Sequence, residues 1–478
     1  MKPFLTIKDL KDKLNKKEVT QKEVITFYLN RLKKYKEKLN ATIDIFDQDN
    51  NNNNNNNNLL AGVPGILKNN ISIKNKKITC GSNILKNYIA PYDATVTEKL
   101  ENNGAVILGT GNMDEFAMGT SGEFSAFGPV KNPWDLTRSP GGSSSGPAAA
   151  VAAGLVPWAL GSETGGSVRQ PASFSGLVGL YPTYGTFSRY GVVAFGSSND
   201  QVGPLTKTVY DNALISTILM GQDPKDSTTL NRPTQDFTKN LTGKLPTNLK
   251  IGVIKDGIES ENIIPEVKEH FKNAIKHLES LGAKIQYIDI PSLKYGISIY
   301  FIISRAEAAS NLARFDGSLY GSRVNAQDLK DMYINTRDAG FGQEVKRRIL
   351  MGNYVLSASH RDTFYNKADY IRSLLRQELE NTFKSVDLLI SPTTTTLPFK
   401  IGQESKDPLL MYMADYFTVP TNMTGNPALS LTCGYSKDNL PIGFQFIGPR
   451  LSEDLIYQVA YAFEQSTDYH TKNPAGYE

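Results

Sequence analysis

The amino-acid sequence predicts an α/β protein built around one sheet. Apolar runs typical of buried strands occur at residues 249–254 and 284–290. Between them, apolar side chains recur at helical spacing from Val267, after a start at Pro265 and before a stop at Gly282. Because strands alternate with a helix of this kind, we expect α/β architecture.

The chain is predicted to open with helices and a first strand, within residues 1–45. Thr20 and Glu23 form a capping-box pattern, and apolar residues follow it at helical spacing. A strand is predicted at 43–46. The asparagine run at 50–58 cannot bury apolar area, so we expect a disordered insertion without function.

The remaining strands are spread along the whole chain. They are predicted at 62–70, 104–109, 386–390, 428–432 and 442–446. Residues 221–248 are rich in Asp, Thr, Asn and Pro and are expected to form a long surface connection. Since strands lie on both sides of this connection, we expect a single domain over residues 1–478.

Composition excludes several classes of protein. The net charge of +4 over 478 residues gives no argument for nucleic-acid or membrane binding, and the two cysteines exclude a disulfide framework and a cysteine-based metal site. The longest nearly apolar stretch, 148–160, is too short to span a bilayer. We expect a soluble protein without a membrane partner. Its expected location is the cytoplasm, or an organellar matrix or stroma if a presequence is missing.

A lysine and two serine-glycine segments predict acyl-transfer chemistry without histidine. Lys68 lies in an apolar run, while the serines lie in segments 140–146 and 161–169. None of the four histidines is near these segments in the sequence, so the base for a serine nucleophile must be another group, such as a buried lysine. Two plainer interpretations stay open. Lys68 could lie on an edge strand with its amine in water, and a serine of 140–146 could merely cap the helix predicted from Ala148.

The second segment also predicts an oxyanion hole. Gly165 and Gly166 allow a tight backbone turn immediately before Ser167. The N–H groups of Thr164, Gly165, Gly166 and Ser167 can then point at one position, where negative charge develops on a substrate oxygen.

In combination these segments resemble the amidase signature enzymes. That family joins a Gly-Gly-Ser-Ser segment through an alanine-rich helix to Gly-Ser-Asp-Thr-Gly-Gly-Ser-Ile-Arg. The resemblance implies Ser167 as nucleophile, Ser143 as a bridging serine after a cis peptide bond, and Lys68 as base. It also implies a large mixed β-sheet covered by helices on both faces, with 60–210 as the signature core and 249–478 as the C-terminal part of the same sheet.

Further segments resemble one branch of that family, the A subunits of glutamyl-tRNA(Gln) amidotransferases. They include residues 112–119, 125–135, 169–174, 188–191, 200–204 and 342–349. This resemblance implies hydrolysis of glutamine, whose α-carboxylate and α-amino group would be held by Arg347 and Asp415, with Arg348 as the competing choice to Arg347. A zwitterion needs one fixed charge of each sign.

The same resemblance implies partners and places the cofactors on one of them. Ammonia would pass to a B subunit, which uses ATP and Mg²⁺ to convert mischarged Glu-tRNA(Gln), and in some complexes Asp-tRNA(Asn). A small C subunit would complete a heterotrimer. We expect no cofactor or metal in this chain, because it lacks a phosphate-binding loop.

Several positions depart from the family pattern, at Asn69, Ser145, Pro147, Glu163, Tyr181 and Thr186, and two other functions remain to be weighed. Asn69 and Glu163 each stand where the family has aspartate, which leaves the pKa of Lys68 open. One alternative function is a stand-alone amidase for an amide other than glutamine. The second is a non-catalytic scaffold subunit.

Overall fold

A single mixed sheet forms the centre of the molecule. The computed structural model describes residues 1–47, 58–403 and 412–478. Within them the strands are β1 (Thr42–Ile45), β2 (Pro64–Lys68), β3 (Val106–Gly111), β4 (Trp158–Glu163), β5 (Val178–Tyr181), β6 (Gln201–Thr206), β7 (Lys250–Ile254), β8 (Lys284–Ile288), β9 (Leu388–Pro392), β10 (Ala428–Tyr435) and β11 (Pro441–Ile447). Across the sheet they run in the order β1-β3-β2-β4-β6-β5-β10-β11-β9-β7-β8.

In the described part of the chain, helices with defined bounds lie around this sheet. They are α1 (Ile7–Asn15), α2 (Gln21–Leu39), α3 (Thr95–Asn102), α4 (Ser145–Ala152), α5 (Arg169–Ser175), α6 (Val209–Leu219), α7 (Asp256–Glu259), α8 (Pro265–Ser280), α9 (Gly296–Asn311), α10 (Leu329–Gly340), α11 (Gln343–Leu356), α12 (Lys367–Thr382), α13 (Val419–Thr424) and α14 (Glu453–Gln465). Helices α4 and α5 pack together on the sheet, and α6 packs with α14.

The burial of the strands explains why helices cover both faces. Every residue of β2, β3, β4, β5 and β6 is buried, a pattern that requires a packed layer above and below the sheet. The strand pairs β2–β3, β2–β4, β7–β8 and β7–β9 are parallel, whereas β4–β6, β5–β10 and β10–β11 are antiparallel. The predicted fold class, an α/β protein with a large mixed sheet, is confirmed.

Most predicted elements are found close to their expected positions. The capping box at Thr20 is confirmed, because its hydroxyl accepts from the N–H of Glu23 and the Glu23 carboxylate accepts from the N–H of Thr20. Residues 221–248 contain no helix and no named strand. Of the asparagine run 50–58, only Asn58 lies within the described residues, so the predicted disorder is not addressed by the structure.

Strands β4, β5 and β6 were not predicted individually. Residues 161–163, which begin the segment with the predicted oxyanion hole, are the last three residues of β4. Their polar character is typical of a loop, but here their neighbours supply hydrogen bonds in a buried strand.

The sheet brings the expected catalytic segments to one edge. Lys68 ends β2, which lies between the parallel strands β3 and β4. The loop that contains Ser167 follows the carboxyl end of β4, and Ser143 precedes α4. Carboxyl ends of parallel strands meet at one edge of a sheet, where loops commonly build binding sites.

The buried Arg31 joins three distant parts of the chain: helix α2, the end of α4 and the C-terminal segment. Arg31 of α2 donates hydrogen bonds to the carbonyls of Ala153 and Gly154, just after α4, and to that of Tyr477. The guanidinium thereby satisfies carbonyls at the C-terminal end of α4, where a positive charge is favourable.

No helix in the described part of the chain is long and apolar enough to cross a membrane.

We expect Arg31→Met to lower the free energy of unfolding by about 2–4 kcal/mol, because it leaves three buried carbonyls without their donor. Denaturant unfolding measures this change. The matched control is Lys33→Met on the same helix, where the lysine makes an exposed ion pair with Asp47 and the expected change is small. Equal effects of the two substitutions would contradict this role of Arg31.

Candidate active site

Lys68 is buried and directed at a serine. Its side chain has no solvent exposure. Its Nζ donates to the Ser143 Oγ at 2.7 Å and to the carbonyl of Ser162 at 3.0 Å. The interpretation of Lys68 as an edge-strand residue with its amine in water is therefore wrong, because β2 is an interior strand and the amine has protein partners.

Ser143 stands at the start of α4 but is not its capping residue. The N-cap position is Ser144, whose side chain makes no capping bond and donates to the Ser162 carbonyl instead. The peptide bond between Gly142 and Ser143 is cis, as the resemblance implied. The N–H of Gly142 donates to the side-chain oxygen of Gln170 at 2.9 Å. The hydroxyl of Ser143 therefore caps no helix and instead contacts Lys68.

Ser167 lies in the turn between β4 and α5. It retains 7 % exposure, whereas Lys68 and Ser143 have none, so it is the member of the trio that a substrate can reach. The N–H of Ser144 donates to the carbonyl of Ser167 at 3.2 Å, which ties the two serine segments together.

The two glycines before Ser167 are required by close contacts. Gly166 has a φ of +146°, and a Cβ there would lie 2.4 Å from Thr418 Oγ1. A Cβ on Gly165 would lie 2.7 Å from the ring of Tyr300. In the described part of the chain, the N–H groups of Gly165, Gly166 and Ser167 make no hydrogen bond. The loop therefore presents three backbone donors, as an oxyanion hole requires.

A buried ion pair fixes the ends of this loop. The Glu163 carboxylate accepts from the N–H groups of Val168 and Arg169 at 2.9 and 3.0 Å, and from the Arg169 guanidinium. Arg169 also donates to Gln445 and Asn422, so its charge is fully engaged. Removing one partner of such a pair would leave a buried charge alone, which is strongly destabilising. The structural role of Glu163 is therefore to hold the end of the loop at Val168 and Arg169.

Three acidic groups surround the lysine at a distance. Burial lowers the pKa of Lys68 to about 7, although the charges of Asp114, Asp200 and Glu163 act to raise it. Burial also raises the pKa of Asp114 and of Asp200 to about 6 each. Slightly above neutral pH, the lysine is mostly neutral and the two aspartates are ionised. A neutral amine is the form that can accept a proton.

Asn69 does not face the amine of Lys68. Its side-chain oxygen accepts from the N–H and hydroxyl of Thr79, and its nitrogen donates to Thr110 Oγ1 at 2.8 Å. The side chain of Asn69 is uncharged, has its hydrogen bonds filled by Thr79 and Thr110, and connects these two segments. The negative charges that act on Lys68 come from the three acids named above.

The residues expected to hold glutamine lie on two elements. Arg347 of α11 is about 40 % exposed and is bound to Glu344 and Tyr412, whereas Arg348 is buried and donates to Glu344 at 2.6 Å. Asp415 is buried close to the loop of Ser167, since its Oδ1 would lie 2.8 Å from a Cβ on Gly166. Of the two candidate arginines, Arg348 is the buried one.

The chain matches the Amidase family model over residues 23–457. It belongs to the amidase family. The A subunit of the glutamyl-tRNA(Gln) amidotransferase from Halothermothrix orenii is 48 % identical over 473 residues, covering 98 % of each chain. The crystal structure of the corresponding A subunit from Thermotoga maritima shares 41 % identity and a TM-score of 0.84, covering 97 % of this chain and 95 % of that one.

A family member with a different name has an equally similar backbone. The structure of 6-aminohexanoate cyclic dimer hydrolase has a TM-score of 0.86 at 25 % identity and covers 99 % of each chain. The amidase fold alone therefore does not select the amide. Side chains around Ser167 must do so.

Several residues at this amidase site were missed by sequence reasoning. Asp114, Arg169 and Asp200 lie within segments that carried the family resemblance, so a signal was present without an assigned role. Tyr300 and Arg305 on α9 gave none, because Tyr300 reaches Gly165, and Arg305 reaches Tyr300, only through the packing of distant elements.

Gly166→Ala is expected to lower amide hydrolysis at least about 100-fold, because the added Cβ would displace the loop that carries the backbone donors. The matched control is Gly243→Ala, which has φ +75° but no heavy atom closer than 3.9 Å to the added Cβ. Steady-state release of ammonia measures both variants. Normal activity of Gly166→Ala would contradict the assignment of this loop.

The pH dependence follows from the neutral form of Lys68. We expect kcat/KM to fall as the pH is lowered through about 7, because protonated Lys68 cannot accept a proton. Asp114→Asn removes a charge that raises the pKa of Lys68, so the falling limb should move to lower pH. Glu101→Gln, a carboxylate on α3 that does not act on Lys68, should leave the limb in place. A limb unmoved by Asp114→Asn would refute this electrostatic coupling.

Proposed function

We propose that this amidase-family chain is the glutaminase subunit of a glutamyl-tRNA(Gln) amidotransferase. One observation carries the proposal: a fully buried lysine amine lies 2.7 Å from the Ser143 hydroxyl, at the edge of the sheet where Ser167 keeps 7 % exposure. The similar subunits are named as parts of a glutamyl-tRNA(Gln) amidotransferase, and the family resemblance implies glutamine as the amide donor.

In the first step Ser167 attacks the side-chain amide carbon of glutamine. The proton of the Ser167 hydroxyl passes to the Ser143 Oγ as the Ser143 proton passes to neutral Lys68 Nζ. The negative charge that forms on the amide oxygen is stabilised by the backbone N–H groups of Thr164, Gly165, Gly166 and Ser167. No histidine takes part.

In the second step the tetrahedral intermediate collapses. The Lys68 ammonium returns its proton through Ser143 to the departing nitrogen, and ammonia leaves from a γ-glutamyl ester on Ser167. Water then attacks the ester, activated by the same lysine and serine, and glutamate is released. Each proton that Lys68 accepts is returned in the same half-reaction.

Charged groups beside Ser167 position the substrate. Asp415 faces the α-amino group, and the arginine pair Arg347 and Arg348 of α11 supplies positive charge for the α-carboxylate. This arrangement favours glutamine over neutral amides, because a neutral amide has no positive charge to pair with the buried carboxylate of Asp415.

The ammonia is used by another subunit of the complex. A B subunit, with ATP and Mg²⁺, activates and amidates the glutamate on mischarged Glu-tRNA(Gln), and a C subunit completes the heterotrimer. The same assembly would serve Asp-tRNA(Asn) where that tRNA is present. This chain contributes no cofactor. Its place of action is the compartment that holds the tRNA, the cytoplasm or an organellar matrix.

A stand-alone amidase is the second candidate, because 6-aminohexanoate cyclic dimer hydrolase has the same fold. The buried Asp415 and Arg348 argue against a neutral amide as substrate. A non-catalytic scaffold is opposed by the contact of Lys68 with Ser143 and the open loop at Ser167.

The division of labour is tested with Ser167→Ala in the purified complex. We expect glutamine hydrolysis and glutamine-dependent amidation of tRNA to be lost, while amidation with free ammonium stays at the wild-type rate. Ser198→Ala, outside the proposed site, is the control and should retain both activities. Loss of ammonium-dependent amidation in Ser167→Ala would contradict the proposal, and hydrolysis of neutral amides in preference to glutamine would favour the stand-alone amidase.

A further inference from the structure

A buried arginine on α9 has unused hydrogen-bond donors. Arg305 is 1 % exposed, and its Nε and Nη2 have no partner among the described residues. Its remaining Nη1 donates to the hydroxyl of Ser304 at 3.0 Å. The guanidinium also lies 3.4 Å above the ring centre of Phe301. A buried cation with free donors is costly, so a functional explanation is needed.

The opposite charge nearby is also incompletely satisfied. The Oδ1 of buried Asp415 has no hydrogen-bond partner in the described part of the chain. By contrast, the buried carboxylate of Glu344 is taken up by Arg347 and Arg348. Arg305 and Asp415 thus both have unused hydrogen-bonding atoms, unlike Glu344.

Asp415 and a neighbour of Arg305 both contact the loop of Ser167. Tyr300, five residues before Arg305 on α9, packs on Gly165, and its ring centre lies 5.7 Å from the Arg305 guanidinium. Asp415 lies against Gly166. The two charges thus belong to elements that touch neighbouring glycines of the same loop.

The packing of α9 on α11 holds this arrangement. A Cβ on Gly352 of α11 would lie 2.0 Å from the backbone carbonyl of Arg305, so the two helices are in close contact at this point. Burial, together with the charge of Arg348, lowers the pKa of Arg305 to about 9. Burial raises the pKa of Asp415 well above its ordinary value, and the charge of Arg305 acts against that rise. Arg305 is still a cation at neutral pH.

We propose that Arg305 binds the α-carboxylate of the substrate together with an arginine of α11, opposite the α-ammonium held by Asp415. The inference rests on the proposed glutaminase function and adds a specificity-determining residue to it. Its free Nε and Nη2 form the edge of a guanidinium that can hold a carboxylate through two parallel hydrogen bonds. The substrate supplies the partners that Arg305 and Asp415 lack.

The test pairs a substitution with a matching change in the substrate. Ammonia release is measured in the purified complex with glutamine and with 4-aminobutanamide, which is glutamine without its α-carboxylate. Arg305→Met should lower kcat/KM for glutamine about 10- to 100-fold, mainly through KM, and should change kcat/KM for 4-aminobutanamide less than about 2-fold. An equal loss on both amides, or an unchanged KM for glutamine, would overturn the proposal.

Two further variants guard against a purely structural explanation. Arg305→Lys keeps the buried charge but not the paired donors, so it should lose about 3- to 10-fold on glutamine alone. Arg314→Met, an exposed arginine after the same helix, should leave both substrates unchanged. Failure of the wild-type complex to hydrolyse glutamine would instead refute the proposed function.

Stability gives an independent readout. Without glutamine, Arg305→Met should melt at a higher temperature than the wild type, because a buried charge without partners has been replaced by an apolar chain. In the Ser167→Ala background, glutamine should raise the melting temperature, and the addition of Arg305→Met should remove that rise. A lower melting temperature together with an intact response to glutamine would show a structural role and contradict the proposal.

Discussion

The hydrogen bond from the Lys68 amine to the Ser143 hydroxyl is the contact on which the rest of the site depends. A lysine amine in water is protonated at neutral pH and cannot act as a base. Here complete burial removes the hydration that favours the charged form, and the pKa falls to about 7. Lys68 is buried because it lies on an interior strand, so the large sheet is needed to lower the pKa of the base.

The surrounding framework gives the buried amine hydrogen-bond partners. The Ser162 carbonyl accepts the second hydrogen bond of Lys68, and Asn69 is turned away to other partners. The ion pair of Glu163 and Arg169 connects the two ends of the loop that contains Ser167. The groups proposed for substrate recognition differ, because Arg305 and Asp415 have hydrogen-bonding atoms without a partner in the part of the protein that the structure describes. A zwitterionic substrate can supply those partners.

Much of this arrangement could be predicted from the sequence because it is local. The apolar run around Lys68 indicated burial, the two glycines before Ser167 indicated a turn with free N–H groups, and the capping box at Thr20 marked the start of a helix. Each of these signals depends on neighbours within a few residues, and each feature is present in the structure.

The remaining features depend on contacts between distant segments. The sequence analysis predicts no strand at β4, whose last residues include Ser162 and Glu163, and the buried glutamate there is paired with the side chain of Arg169 on α5. Arg305 lies on a helix that gives no sequence signal of a site. Its proximity to the loop of Ser167 comes from the packing of α9 on α11, which no local pattern encodes.

The most direct test is the ionisation of Lys68 itself. Protein labelled with ¹⁵N in its lysine side chains can be titrated by NMR, and comparison with Lys68→Met identifies the Nζ resonance of Lys68. We predict a single titration near pH 7, with a neutral amine at about pH 8.5. A Lys68 amine that stays protonated above about pH 9 would contradict its role as the base.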